Sequence, residues 1–318
     1  MTESPTLDCL EGTGEARAAF PDLDQHFFLK PRAYVDVCML PAFKHLARVA
    51  DLFAMRREGV YPIMFYMTIE PSDVPLVFGS PLSVDYEVRL RRYRPNPSAT
   101  AEEGAPASDR FLLDNRFNVS GKRGSGKAEE MDAGRADAPL EPVGRARIVQ
   151  VLTRPLAPPG QRQVTELPKG FRVLREHPWD EPYPTWQRLG GVPEGFAETS
   201  LEPQPHESVW GVANSDINQH ITLTEYIGKM EDHLSRMLHA AGLPLRRHRV
   251  RRVETLFMKP FFAGEPYRVT GRLWCAGQET LMLGGIQHQS AQDGTWPPLD
   301  SRPAVFIRLE GFVDRGEG

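Results

Sequence analysis

Residues 214–221 read Asn214-Ser215-Asp216-Ile217-Asn218-Gln219-His220-Ile221, and the rest of the chain is organised around this stretch and the segment it enters. Asp216, Asn218 and His220 are side chains capable of acid–base or carbonyl chemistry, set at alternate positions in a short loop. A helix is predicted next. Thr222 and Glu225 have the spacing of a capping box, in which each side chain satisfies a backbone N–H near the other. Leu223, Tyr226, Ile227, Met230, Leu234, Met237 and Leu238 then recur at three- and four-residue steps, one apolar stripe on a helix. Gly242 and Pro244 end it. Polar groups delivered to a helix N-terminus lie where unpaired N–H groups and the positive dipole end favour developing negative charge. That is a place to polarise a carbonyl. Asp, Asn and Ser are also ordinary capping residues, so spacing alone leaves a capped loop as the alternative.

Composition narrows the class. A chain of 318 residues, 40% hydrophobic, buries a substantial core and suits one large or two smaller domains. Its 29 Pro and 27 Gly point to long loops between modest cores. A net charge of −4 gives no case for general nucleic-acid binding. Cys9, Cys38 and Cys275 are odd in number and far apart, so they form no Cys-x-x-Cys pair and fit a reducing compartment. The first residues are acidic and polar, without the basic-then-apolar order of a signal segment. No apolar run approaches the roughly 20 residues of a membrane span. The expectation is a cytoplasmic protein without membrane partners.

Along the chain, residues 1–24 read as a polar tail or edge covering, and His26 to Val37 as an extended segment. Pro41 is expected to open a helix carrying Phe43, Leu46, Val49, Leu52 and Phe53, stopped by Gly59. Strands follow at Val60–Ile69, Ser83–Tyr93, Phe111–Val119 and Ala146–Thr153, separated by Pro-, Gly- and Glu-rich loops. The second half repeats the order: a short extended piece at Ser208–Val212, the motif loop, a helix to Ala241, and strands at Arg251–Met258, Tyr267–Cys275, Thr280–Gln289 and Ala304–Val313. Gly79-Ser80-Pro81-Leu82-Ser83-Val84 and Gly264-Glu265-Pro266-Tyr267-Arg268-Val269 share Gly-x-Pro-x-x-Val, 185 residues apart. An internal repeat follows, and with it an α+β class in which a long helix and antiparallel strands occur twice. The predicted organisation is a tail (1–24), a first unit (25–155), a Pro-rich linker with Trp179 and Trp186 as anchors (156–205), and a second unit (206–316).

Ser215 to Gly228, with Asp216-x-Asn218-x-His220 followed by Tyr226-Ile227-Gly228, resembles the active-site segment of plant-type fatty acyl-ACP thioesterases. The resemblance implies a double hotdog, two antiparallel sheets each wrapped on a long central helix, and hydrolysis of an acyl thioester without cofactor or metal. Where that family carries two Asn after its His-Val pair, Thr222 and Leu223 stand here. Thioester hydrolysis needs a nucleophile, a donor to the carbonyl oxygen and a proton source for the leaving thiolate. Asn218 is the candidate carbonyl-binding amide, Asp216 the carboxylate that activates water or attacks, and His220 the general acid/base, an imidazole's ordinary pKa of about 6.5 suiting that work. The resemblance adds Glu254, 34 residues after His220, as a water-activating base or partner to His220. Thr255 stands where the family has Cys, which excludes a cysteine nucleophile there. The bland alternative for Glu254 is a salt bridge to its arginine neighbours.

The first half has no Asp-x-Asn-x-His; it offers Asp36, Lys44 and His45, and is read as shaping the acyl pocket, with Met55, Met64, Phe65 and Met67 as apolar candidates. The run Arg246, Arg247, His248, Arg249, Arg251, Arg252 is either a docking rim for an acidic carrier protein or CoA phosphates, or a charged strand edge. Tyr226, Arg249, Arg251 and Arg252 are the substrate-binding candidates. Gly121 to Lys127 matches Gly-x4-Gly-Lys, but Ala128 replaces the Ser/Thr of a phosphate loop. The rival expectations are a dehydratase, acyltransferase or cyclase of a polyketide pathway on the same scaffold, or a non-catalytic acyl- or carrier-binding module. The two units are expected to pair internally, with a homodimer as a further possibility.

Overall fold

The computed structural model describes residues 6–95, 105–124, 138–199, 201, 205–216 and 220–314. The chain divides into two compact units, Met1–Thr185 and Trp186–Gly318. The first contains β1 (Leu10–Arg17), α1 (Ala33–Val49), α2 (Leu52–Arg57), β2 (Tyr61–Pro71), β3 (Pro81–Tyr93), β4 (Arg110–Lys122), β5 (Leu140–Thr153) and β6 (Glu176–Pro178). Its strands pair antiparallel in the order β1-β3-β4-β5-β2, with β6 parallel to β3. α1 packs against β1, β3 and β5. Burial alternates along β3, as a half-buried strand requires: Leu82, Val84, Val88 and Leu90 are essentially inaccessible.

The second unit contains α3 (Trp186–Leu189), β7 (Ala197–Glu198), β8 (His206–Val209), α4 (Leu223–Ala240), β9 (His248–Phe257), β10 (Pro266–Ala276), β11 (Glu279–His288) and β12 (Val305–Val313). The order β9-β12-β11-β10 is antiparallel throughout, and β7 and β8 both pair with β10. Helix α4 packs on β10, β11 and β12. Both units therefore use one plan: after the long helix, the first strand pairs with the last, and the middle strands run in sequence. The repeated Gly-x-Pro lands at the same place in each. Pro81 opens β3 and Pro266 opens β10, and Gly79 (φ 73°) and Gly264 (φ 89°) supply the left-handed turn before them, a conformation that glycine adopts without Cβ strain.

Three expectations change, the first being that the one helix expected from Pro41 to Gly59 is two, α1 ending at Val49 and α2 starting at Leu52 on its N-cap Asp51. The stretch read as a tail holds an edge strand, β1. The segment read as extended to Val37 is already helical from Ala33, and Pro41 lies inside α1 instead of opening it. Short apolar runs are ambiguous in period, and burial of Tyr34, Val35, Val37 and Cys38 on one helix decides the matter. Pro41 forfeits one helical hydrogen bond, but its ring packs directly over Gly14 of β1, where a Cβ would come within 2.3 Å of it. Asp36 thus sits in the first helical turn, where burial raises its pKa. Among the described residues, no helix is long and apolar enough to cross a membrane.

Candidate active site

The loop before α4 is built on a buried tryptophan. Trp210 stacks on Tyr267 (4.1 Å between ring centroids) and meets Tyr226 edge-on at 5.4 Å. Its backbone exchanges hydrogen bonds with the turn before β10, Trp210 N–H to the Glu265 carbonyl and Gly264 N–H to the Trp210 carbonyl. From there the chain makes a short turn, Val212–Asn214, and enters the motif. Ser215 and Ile221 face one another as a bridge, and Asp216 N–H donates to the His220 carbonyl at 2.9 Å. That bond joins Asp216 to His220 across residues 217–219, which, with Asn218, the expected carbonyl-binding amide, among them, lie outside the described residues.

The helix start differs in detail from the expected capping box. Thr222 has the extended backbone of an N-cap residue, yet its side chain caps no N–H; its hydroxyl meets that of Thr224. Glu225 instead accepts from the Asn214 side-chain amide at 2.8 Å. Asn214 also accepts from Gly211 N–H and, through its carbonyl, from Thr222 N–H. One side chain ties the loop to the first helical turn. The far end follows the sequence closely: Gly242 (φ 70°) takes the left-handed position, with Leu243 N–H bonded to Leu238 O and Gly242 N–H to His239 O, the two bonds of a Schellman stop.

Around the helix tip, Ile221 N–H donates to the Phe261 carbonyl, and His220 forms a bridge with Phe262. The Phe262 ring lies edge-to-face against the imidazole, 5.0 Å between centroids and 67° between planes. Asp216 is exposed and His220 half-buried, so both are open to a substrate. Tyr226, expected to bind substrate, is a structural post. It is 4% exposed, its hydroxyl accepts from Phe261 N–H at 3.2 Å, and its ring packs against Trp210, Phe257 and Phe261. Burial pushes its phenol pKa up, and the Glu265 and Asp216 carboxylates add to the shift.

The described contacts of Glu254 are with arginines, and those of the His220 ring are with Phe262. Met230 and His233 of α4 reach the Cβ directions of Gly284 and Gly271, and register aligns those glycines with Ile307 and Thr255. Side chains alternate along a strand, so Thr255 shares the helix face and Glu254 points to the other. There it meets Arg252 at 3.1 Å and Arg308 at 3.7 Å, while Arg308 also reaches the carbonyls of Leu189 and Gly191 beside α3. These residues, with Arg188 and Glu310, line a polar cleft of about 400 Å³. The salt-bridge reading of Glu254 is the one its surroundings support. Arg252 is committed to it, Arg251 stacks over Phe312 at 3.8 Å, and Arg249 sits opposite Phe312 in the register. In the first unit, Met55 and Met67 are fully buried core, whereas Met64 and Phe65 are half-exposed, Phe65 against Tyr183. Lys44 and His45 lie in α1, with His45 hydrogen-bonded to Tyr86.

Among the described residues, one group brings three metal-ligating atoms within 4.8 Å: Cys9, Glu11 and Glu87. There the thiol donates to Glu11, which raises its pKa to about 11, and Glu87 is paired with Arg89 at 2.7 Å.

No family profile matches the sequence, and no curated protein matches it. Solved structures do. A Lactobacillus plantarum protein assigned as an oleoyl thioesterase superposes with a TM-score of 0.64 at 11% identity, covering 96% of this chain and 97% of that one. An acyl-ACP thioesterase from Bacteroides thetaiotaomicron gives 0.56 at 16% identity (95% and 97% covered). A 12:0-ACP thioesterase from Umbellularia californica gives 0.58 at 10% (96% and 94%). The chain therefore has the hotdog-type α+β fold of these proteins over nearly its whole length.

Proposed function

We propose that this chain hydrolyses an acyl thioester borne by acyl carrier protein or CoA, on a double-hotdog scaffold whose second unit carries the chemistry. In this reading each unit's antiparallel sheet wraps its own long helix, α1 or α4, and the first unit shapes the acyl pocket. The observation that carries the proposal is the hydrogen bond that joins Asp216 to His220 at the N-terminus of α4, on a fold shared with acyl thioesterases. Water attacks the thioester carbonyl. Asp216 orients and activates that water; Asn218 and the free N–H groups at the start of α4 bind the oxyanion. His220 takes the water's proton and returns it to the departing thiolate. Glu254, turned away from α4, serves as the central anion of the arginine cleft. Exposed Arg246, Arg247 and Arg251 offer a docking rim for an acidic carrier or for phosphates.

The test is a panel of acyl-ACP and acyl-CoA substrates with thiol release followed and the acyl product weighed. Free acid is the expected product; an enoyl, cyclised or transferred acyl group would make the chain a dehydratase, cyclase or acyltransferase, and tight binding without turnover would make it a binding module. His220→Ala should lower kcat by about 10²–10⁴-fold, the usual worth of a general acid/base; full activity in that variant would remove His220 from the mechanism.

A further inference from the structure

His220 enters the proposed mechanism as a proton carrier, and such a group must be held in orientation. Its described ring contact is with Phe262, and Phe262 is itself held by a second pair of residues. Phe262 N–H donates to Glu265 Oε2 at 3.0 Å. The same carboxylate oxygen lies 3.7 Å from His288 Nδ1. His288 Nε2 donates to the Pro260 carbonyl at 3.1 Å, and its ring stacks on Phe261 at 3.7 Å, 17° from parallel. The turn from Pro260 to Glu265 is thus pinned at both ends by side chains from β11 and from its own base, and its left-handed glycine, Gly264, closes it. Phe262 is 40% exposed, so its ring is not buried core; its ring meets the imidazole in a T-shaped contact.

We propose that Phe262 is the positioning residue for His220, and that Glu265 and His288 hold Phe262 in place. This rests on the catalytic reading of His220, so the test needs a readout separate from turnover. At neutral pH burial and Lys259 keep His288 below its ordinary pKa, with Glu265 opposing, so its Nε2–H bond to Pro260 is made by the neutral ring. Glu265 is then left to accept from Phe262.

Phe262→Ala should lower kcat at least about tenfold, the scale expected when a reacting group loses its aim, while KM stays within a small factor. Phe262→Tyr, which keeps the aromatic edge, should restore most of that loss. Glu265→Ala should mimic Phe262→Ala, and the double variant should be no worse than either, because both act through one element. Independently of activity, the His220 ring protons of the full-length protein should be displaced in NMR by the Phe262 ring current and should relax toward ordinary histidine values in Phe262→Ala. A rise in KM without loss of kcat would make Phe262 a substrate-binding side chain and overturn the proposal, as would unchanged His220 resonances. A wild-type chain with no hydrolytic activity but with the expected resonance shift would defeat the catalytic reading and leave the Phe262–His220 geometry standing.

Discussion

A carboxylate set between two guanidinium groups has its oxygens drawn into charge-assisted pairs. That is the setting of Glu254, with Arg252 on its own strand and Arg308 across the ladder. Nothing in the sequence separates this fate from a catalytic one: the Arg-Arg-Val-Glu spacing fits either. Strand parity decides, since moving one residue along β9 moves a side chain to the opposite face. Glu254→Gln should therefore cost about 1–3 kcal/mol of stability, the scale of hydrogen bonds to charged groups, measured by urea unfolding. Its kcat should stay within a small factor of wild type. A loss on the His220→Ala scale, with folding intact, would return Glu254 to the catalytic set.

At the scale of the element, α4 shows how a correctly placed helix can be held by a different residue from the one its pattern suggests. The apolar stripe predicted its buried face, and Tyr226, Ile227, Met230, Leu234, Met237 and Leu238 are all buried. His233 joins them, a polar residue on the same stripe. The start is tied by Asn214 and Glu225 instead of Thr222 and Glu225. Asn214 stands eleven residues before its partner, beyond the reach of any capping rule, so only the folded loop could reveal it. Asn214→Ala removes the bonds to Gly211 and Glu225 together and should destabilise the chain by about 1–2 kcal/mol. Because the same side chain fixes the loop that ends in His220, kcat should fall further than the thermal shift alone explains. Differential scanning calorimetry alongside kinetics separates the two. In α1 the sequence misled for a related reason: Pro41 reads as a helix start, and the close approach of Gly14 gives it a place inside.

For the whole molecule, acid should be more damaging than its net charge of −4 suggests. His233 is 1% exposed on α4 with both ring nitrogens lacking hydrogen-bond partners among the described residues, and His248 at the start of β9 bonds to Thr280. Burial lowers each from the ordinary 6.5 to about 4. The unfolded chain therefore binds these protons below about pH 6.5 while the folded chain refuses them until about pH 4. Stability is fully present above the unfolded value and falls as pH drops between the two, by up to about 3 kcal/mol for each histidine. Urea midpoints at pH 7 and pH 5 should differ markedly in the wild type and less in His233→Leu; equal differences would exclude His233 as a source. What the sequence determined alone is the two-fold repetition of helix and antiparallel strands, the end of α4 at Gly242 and the position of the Asp216–His220 loop, since these follow from periodicity and from backbone conformations tied to particular residues. What only the tertiary structure decided is which groups meet: Asn214 with Glu225, Phe262 with His220, and Glu254 with arginines on the far face. Such partnerships depend on strand register and on the packing of distant segments, neither of which local spacing encodes.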